Sequence, residues 1–234
     1  MLLAVLQPKS HFDRFSTFTE AIEQAVCREE FDVLVLPELS WLCNDEDKTE
    51  IAASASIKSY AKDLSRRKHA VIGFAISTRI ADRFFSAPFA VHDGELWSRS
   101  TPPPFPTSDD TFTKTCFLAT EFVNVAIFPD SPAEQVLPDS VLEYADILMV
   151  SDTTAIGSDS VSRACMTSRQ HKAYTMMARF APDRGSEREG STIVSPNGHV
   201  LIDAGAKPGL HVTEIPDFLP LRRRGRWHPW PIRA

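Results

Sequence analysis

A glutamate placed directly after a buried strand is the first residue of this 234-residue sequence with chemistry in it. Asp32-Val33-Leu34-Val35-Leu36 is a β-forming run stopped by Pro37, and Glu38 comes next. A carboxylate carried out of water at a strand end holds its proton more tightly unless a cation pairs with it, and such a group suits proton transfer. The competing reading is a carboxylate that caps the following loop. Other reactive types cluster after later apolar runs. Asp130 and Ser131 follow Ile127-Phe128-Pro129, and Asp152, Thr153 and Thr154 follow Ile147–Val150. Asp109 and Asp110 stand in a proline-rich stretch. A serine activated by Glu38 alone is an uncommon nucleophile arrangement without a histidine or lysine beside it. Glu38, Asp130 and Asp152 together would suit a cation. Asp130 equally suits the start of a helix at Ser131-Pro132, where negative charge complements the helix dipole.

Cys27, Cys43, Cys116 and Cys165 are scattered without metal-ligand spacing, and no two histidines stand four apart. No metal and no cofactor is expected. The thiols read as reduced cysteines of a cytoplasmic protein, with Cys116 and Cys165 as small buried side chains. The net charge of −6 leaves no basic excess for nucleic acid. The basic run Arg222-Arg223-Arg224 with Arg226 reads as a solvated tail or a subunit contact. No apolar stretch approaches the roughly 20 residues that span a bilayer, so no membrane is expected. Met1–Leu6 runs into Gln7-Pro8-Lys9 and reads as a first strand, not a leader.

The elements that must position these groups alternate strand and helix. Leu2–Leu6 is a strand buried on both faces. Phe12, Phe15, Phe18, Ile22 and Val26 form one helical stripe, and Ile51, Ile57, Tyr60, Ala61 and Leu64 another. Ala70–Ile76 is a third strand. A hairpin over Phe84–Trp97 turns at Asp93-Gly94, and the prolines of Thr101–Asp110 exclude a helix or central strand. Phe122–Phe128 predicts a strand, Pro132–Tyr144 a helix, Ile147–Val150 a strand, Ser162–Lys172 a helix and Ala173–Phe180 a strand. The end is β-rich, with Ser191–Ser195, Val200–Ile202 and Leu210–Ile215 as strands. Nothing divides the chain, so one domain is expected over 1–234.

Three stretches together resemble the nitrilase, or carbon–nitrogen hydrolase, superfamily. Asp32-Val-Leu-Val-Leu-Pro-Glu38-Leu39 resembles its strand ending in Pro-Glu. Val123–Glu134 followed by Tyr144–Val150 is similar to its strand, nucleophile turn, helix and next strand. Gly190–Leu201 resembles its late hairpin. The order and spacing agree over most of the chain. The resemblance implies an α/β fold, a four-layer α-β-β-α sandwich, and pairing into a homodimer. It makes 216–234 a C-terminal tail at the subunit interface, where Trp227, Trp230 and Ile232 are apolar anchors.

The resemblance also implies a cysteine thiolate as nucleophile, a glutamate as proton shuttle and a lysine at the oxyanion. Glu38 fits the glutamate. The cysteine position carries Phe128, whose ring is expected to fill the substrate volume. Pro129 follows, with no N–H to give an oxyanion; one lost donor costs on the order of 3 kcal/mol in the transition state. The lysine position falls on Pro102, with Arg99 or Ser100 a small shift away, and no lysine occurs between Lys68 and Lys114. The leading expectation is therefore a nitrilase-like protein without cysteine-dependent amidase or nitrilase activity, which binds a ligand or modulates a partner. Its ligand would be a small amide or carboxylate. The alternative is an active C–N hydrolase whose rebuilt site uses Glu38 as base, with Arg99, Pro129, Asp130, Ser131, Asp152 and Thr153 as pocket candidates.

Overall fold

The computed structural model describes residues 1–9, 15–39, 47–80, 83–98, 116–129, 144–151, 159–181 and 190–218. Two six-stranded sheets pack face to face. The first has the order β12-β1-β2-β3-β4-β5 and the second β11-β10-β9-β8-β7-β6. The first sheet uses β1 (Leu2–Gln7), β2 (Val33–Val35), β3 (Val71–Ile80), β4 (Arg83–His92), β5 (Glu95–Trp97) and β12 (Gly209–Glu214). The second uses β6 (Cys116–Ala119), β7 (Asn124–Pro129), β8 (Ile147–Ser151), β9 (Tyr174–Ala178), β10 (Thr192–Val194) and β11 (Val200–Asp203). Helices α1 (Phe15–Val26) and α2 (Asp47–Lys68) cover the outer face of the first sheet, and α3 (Ser160–His171) covers that of the second. The layers are therefore α-β-β-α, as the resemblance implies.

Alternation along the strands separates three layers of core. Leu3, Val5, Val33, Val35 and Val71 meet Val125, Ile127, Met149, Met176 and Ile193 between the sheets. Ala4, Leu6, Leu34, Leu36 and Ile72 face the other way, onto Phe18, Ile22, Ile57 and Leu64 of the helices. Each central strand is apolar on both faces, which is why these runs read as continuous and not alternating. Glu23 of α1 accepts from the Tyr60 hydroxyl at 2.9 Å and from the Arg67 guanidinium of α2; Arg67, foremost, holds the Glu23 carboxyl below the usual carboxylate range.

The two halves repeat one construction. β1, β2 and β3 run parallel, then β4 and β5 return antiparallel; β7, β8 and β9 run parallel, then β10 and β11 return antiparallel. Asp32 precedes β2 and accepts the Leu2 N–H at 2.7 Å, and Asp146 precedes β8 and accepts the Asn124 N–H at 2.8 Å. Ser65 of α2 donates to the Ala70 carbonyl at 2.8 Å, and Ser168 of α3 donates to the Ala173 carbonyl at 3.0 Å. A left-handed residue ends each helix, His69 (φ 51°) and Lys172 (φ 55°).

Several boundaries differ from those read in the sequence. β3 continues to Ile80 and pairs along its length with β4, so the antiparallel arm is longer than Phe84–Trp97. α2 begins at Asp47, and β7 begins at Asn124 because Thr120 turns the chain there, accepting from Val123 N at 3.0 Å and donating to its carbonyl at 2.7 Å. β6 had no counterpart in the sequence reading. Residues 99–115 and 130–143, with the expected proline loop and nearly all of the expected Pro132–Tyr144 helix, lie outside the described residues.

Gly73 lies where the two sheets approach closely: a Cβ there would stand 2.3 Å from Met149 Sδ and 3.2 Å from Ile127 Cγ1. Both neighbours are fully buried, so they have little room to yield. Gly73→Ala is expected to destabilise the protein by about 1–3 kcal/mol through overpacking, read as a lower urea midpoint at unchanged slope. An unchanged midpoint would remove this contact from the account of sheet spacing.

Candidate functional site

The parallel strands of both sheets deliver their carboxyl ends to one end of the sandwich, the position at which α/β sheets generally take ligands. Ser151, the last residue of β8, joins the two sheets there. Its hydroxyl donates to the Leu36 carbonyl at 2.9 Å and accepts the Ala75 N–H at 3.0 Å. Glu38 lies two residues beyond Leu36 and is 3% exposed. Its segment is held along β3 by Leu36 N to Gly73 O at 2.8 Å and Leu39 N to Ala75 O at 3.0 Å. Pro37 has no N–H to contribute, so the strand stops there while the chain stays against β3.

The second sheet places Pro129 opposite Ser151 and Ser151 opposite Ala178. Arg179 follows and is 1% exposed. Ser191 brackets it: the hydroxyl accepts Arg179 N–H at 2.9 Å and donates to the Arg179 carbonyl at 3.2 Å. The Ser191 N–H donates in turn to Gln7 Oε1, and Gln7 Nε2 donates to the carbonyls of Gly205 at 2.9 Å and Lys207 at 3.0 Å. Gln7, Ser151 and Ser191 are therefore committed to holding strand ends together. Sequence reasoning passed over all three and Arg179. The available signal was a polar residue closing an apolar run, as Gln7 closes Leu2–Leu6 and Arg179 closes Thr175–Ala178.

Phe128 packs on the outer side of the second sheet. Val125 and Ile127 face the other sheet, so by the two-residue period of a strand Ala126 and Phe128 face outward. The Phe128 ring packs against Ala126, Ala145, Leu148 and Ala173, and against Val150, Ala164, Met177 and Val194 beneath α3. It does not enter the inter-sheet space. In the repeated construction the strand starts Leu2 and Asn124 correspond, so Phe128 corresponds to Leu6, which also packs outward.

The described cysteines lie elsewhere. Cys116 is in the inter-sheet core with its Sγ 3.5 Å from the Trp97 carbonyl, and burial pushes its thiol up to about 12. A thiol so high has almost no thiolate at neutral pH. Cys27 is exposed beyond α1, and Cys165 packs on the outer side of the second sheet. Among the described residues no three His, Cys, Asp or Glu are grouped to hold a metal. Arg99, Pro102, Asp109, Asp110, Asp130, Ser131, Asp152, Thr153, Thr154 and Cys43 lie outside the described residues. So does 219–234, although Phe218 at the start of the tail packs on Tyr174 of the same chain, ring centroids 5.9 Å apart.

No protein-family model matches the chain, and no curated protein matches it. Solved structures do. A mutant of the Nesterenkonia AN1 amidase from the nitrilase superfamily superposes with a TM-score of 0.66 at 17% identity, over 93% of this chain and 91% of that chain. A second structure of an amidase from Nesterenkonia sp. gives 0.66 at 16% identity, over 96% and 94%. A mutant of the AN1 amidase in complex with butyramide gives 0.65 at 16% identity, over 97% of each chain. The chain has the nitrilase, or carbon–nitrogen hydrolase, fold.

The Ser151 hydroxyl is an inter-sheet contact that a single substitution removes cleanly. Ser151→Ala leaves the Ala75 N–H buried without its acceptor and is expected to cost about 1–3 kcal/mol. Ser151→Thr keeps the hydroxyl and is expected to recover part of that loss. Equal stability of all three proteins by chemical denaturation would contradict the assignment.

Proposed function

We propose that this chain is a nitrilase-fold binding protein without cysteine-dependent amidase or nitrilase activity. The observation that carries the reading is Phe128. The position at which the resemblance calls for a nucleophile holds a partly buried aromatic residue that packs under α3. The buried Cys116 thiol offers no replacement. Pro129 has no N–H for an oxyanion. What the end of the sandwich does retain is polarity: Glu38 and Arg179 are both buried there. The ligand is a small amide or carboxylate taken up against Glu38. An amidase of this fold has been solved with butyramide, which makes butyramide the natural first probe.

The alternative reading keeps the chemistry, with Glu38 as base in a rebuilt site. It is favoured by the burial of Glu38 in the position the resemblance gives to the proton shuttle. One experiment separates the two. Ammonia release from butyramide and acetamide is measured, and fluoroacetamide adducts are mapped by mass spectrometry. No release and no adduct formed faster than on the unfolded chain are expected. Turnover at ordinary enzymatic rates, on the order of 1–10³ s⁻¹, would overturn the proposal. Its abolition in a folded Glu38→Gln variant would then establish the alternative.

The protein is further proposed to act as one domain over 1–234, in the cytoplasm and without nucleic acid. No described helix is long and apolar enough to cross a membrane. Two copies are proposed to pair through the 216–234 tail. Light scattering is expected to give a dimer that truncation after Phe218 converts to monomer. A monomeric full-length chain would refute the pairing.

A further inference from the structure

Helix α2 has two charged flanks, and only one of them is neutralised. On the flank toward α1, Tyr60 and Arg67 meet Glu23, and Arg67 Nε donates to Asp63 at 2.9 Å. On the other flank stand Lys58, Lys62 and Arg66, four residues apart. The two ends of this row are placed by their neighbours. Lys58 is half-buried, with its Nζ 4.5 Å from the centroid of the Phe89 ring of β4. The exposed Arg66 covers Gly94 in the β4–β5 turn, where a Cβ would stand 2.0 Å from its Nε. Lys62 falls between them by the helical period. Among the described residues none of the three makes a hydrogen bond or an ion pair. Asp93, beside Gly94, is faced instead by His69 at 4.0 Å and His92 at 3.4 Å, and Glu95 is exposed on β5.

We propose that this flank of α2 is a docking surface for a short, extended, acidic segment of a partner protein. The inference is independent of the small-ligand reading above. Like charges four apart on a helix repel, so the row works against α2 when nothing faces it. Partial burial adds to that cost at Lys58, where it holds the ammonium below the ordinary lysine value. A facing carboxylate reverses both effects. The spacing selects the form of the partner. Residues four apart on a helix are separated by a rise of about 6 Å. Alternate side chains of an extended chain stand about 6.6 Å apart, so three successive ones on one face match the three cations. The length of the row selects against a long polyanion. A nucleic acid carries its charge past the row onto a chain whose net charge is −6, whereas a short acidic segment ends where the cations end.

Labelled hexaglutamate is the probe and labelled hexaglutamine its neutral control, each titrated by fluorescence anisotropy into the full-length protein at low ionic strength. Hexaglutamate is expected to bind at least about tenfold more tightly, and to weaken as added salt screens the charges. Lys58→Gln combined with Lys62→Gln and Arg66→Gln is expected to abolish that preference. Arg28, Lys172 and Lys207 are exposed cations elsewhere on the chain. Changing those three to Gln alters the net charge equally and is expected to leave the preference intact. If circular dichroism shows that the first triple variant does not fold, Lys62→Gln with Arg66→Gln takes its place. Equal binding of the two peptides, no binding of either, or an equal loss in the two sets of variants overturns the proposal. Tighter binding of an oligothymidylate of the same length also overturns it, and assigns the row to nucleic acid.

Discussion

The Ser151 hydroxyl ties the two sheets together where their parallel strands end. Two triplets of parallel strands packed face to face bury both of their surfaces, so within the strands there is no place for a polar side chain without a partner. Such groups are admitted only where strands end. Ser151 occupies that point and satisfies a carbonyl and an N–H of the opposite sheet at once. The bonds fix the slide of one sheet over the other, and Gly73 lets them come close enough for it, its missing side chain leaving space for Met149 and Ile127. Glu38 lies two residues beyond Leu36, whose carbonyl Ser151 touches, and Arg179 one beyond Ala178, the register partner of Ser151.

The repeated construction explains why an apolar ring stands at Phe128. The aspartates that start β2 and β8 perform the same bond to the neighbouring strand, and counting from those bonds makes Phe128 the equivalent of Leu6. In the first half that position is a plain core position, buried against Phe18 and Ile22. The framework alone therefore calls for an apolar side chain at both places. A thiolate there would be a departure from the framework that catalysis must justify, and an aromatic ring is a return to it. An aromatic ring at that position fills space outside the inter-sheet core instead of disrupting it.

Much of the architecture was legible in the sequence, and the illegible parts share a cause. Leu2–Leu6, Val33–Leu36 and Ile147–Val150 are short apolar runs between turn signals, and the stripes of α1 and α2 have helical spacing, so their existence follows from burial alone. β6 is only Cys116–Ala119, next to a stretch without pattern, and became a strand through pairing with β7. The outer part of the β3–β4 arm is mixed in polarity and is held by cross-strand pairing. At the site, Glu38 was legible because Pro37 announces the strand end. The direction of the Phe128 ring was not, since it depends on the register of the whole strand. Ser151, Ser191 and Gln7 were not either. The partners of Ser151 and Gln7 are 115 and 184 residues away, and no local pattern encodes a bond of that range.

The remaining question is why charged side chains are buried at this end of the molecule. Moving an ionised side chain out of water is costly, and an apolar replacement of similar volume is often neutral or stabilising. A pocket that had merely closed would therefore be filled by apolar side chains, as the outer core around Phe128 is. Glu38 and Arg179 are buried all the same, and the backbone about Arg179 is held by bonds that reach across both sheets. That investment of hydrogen bonds in the position of a cation has no counterpart at Leu6 or Phe128.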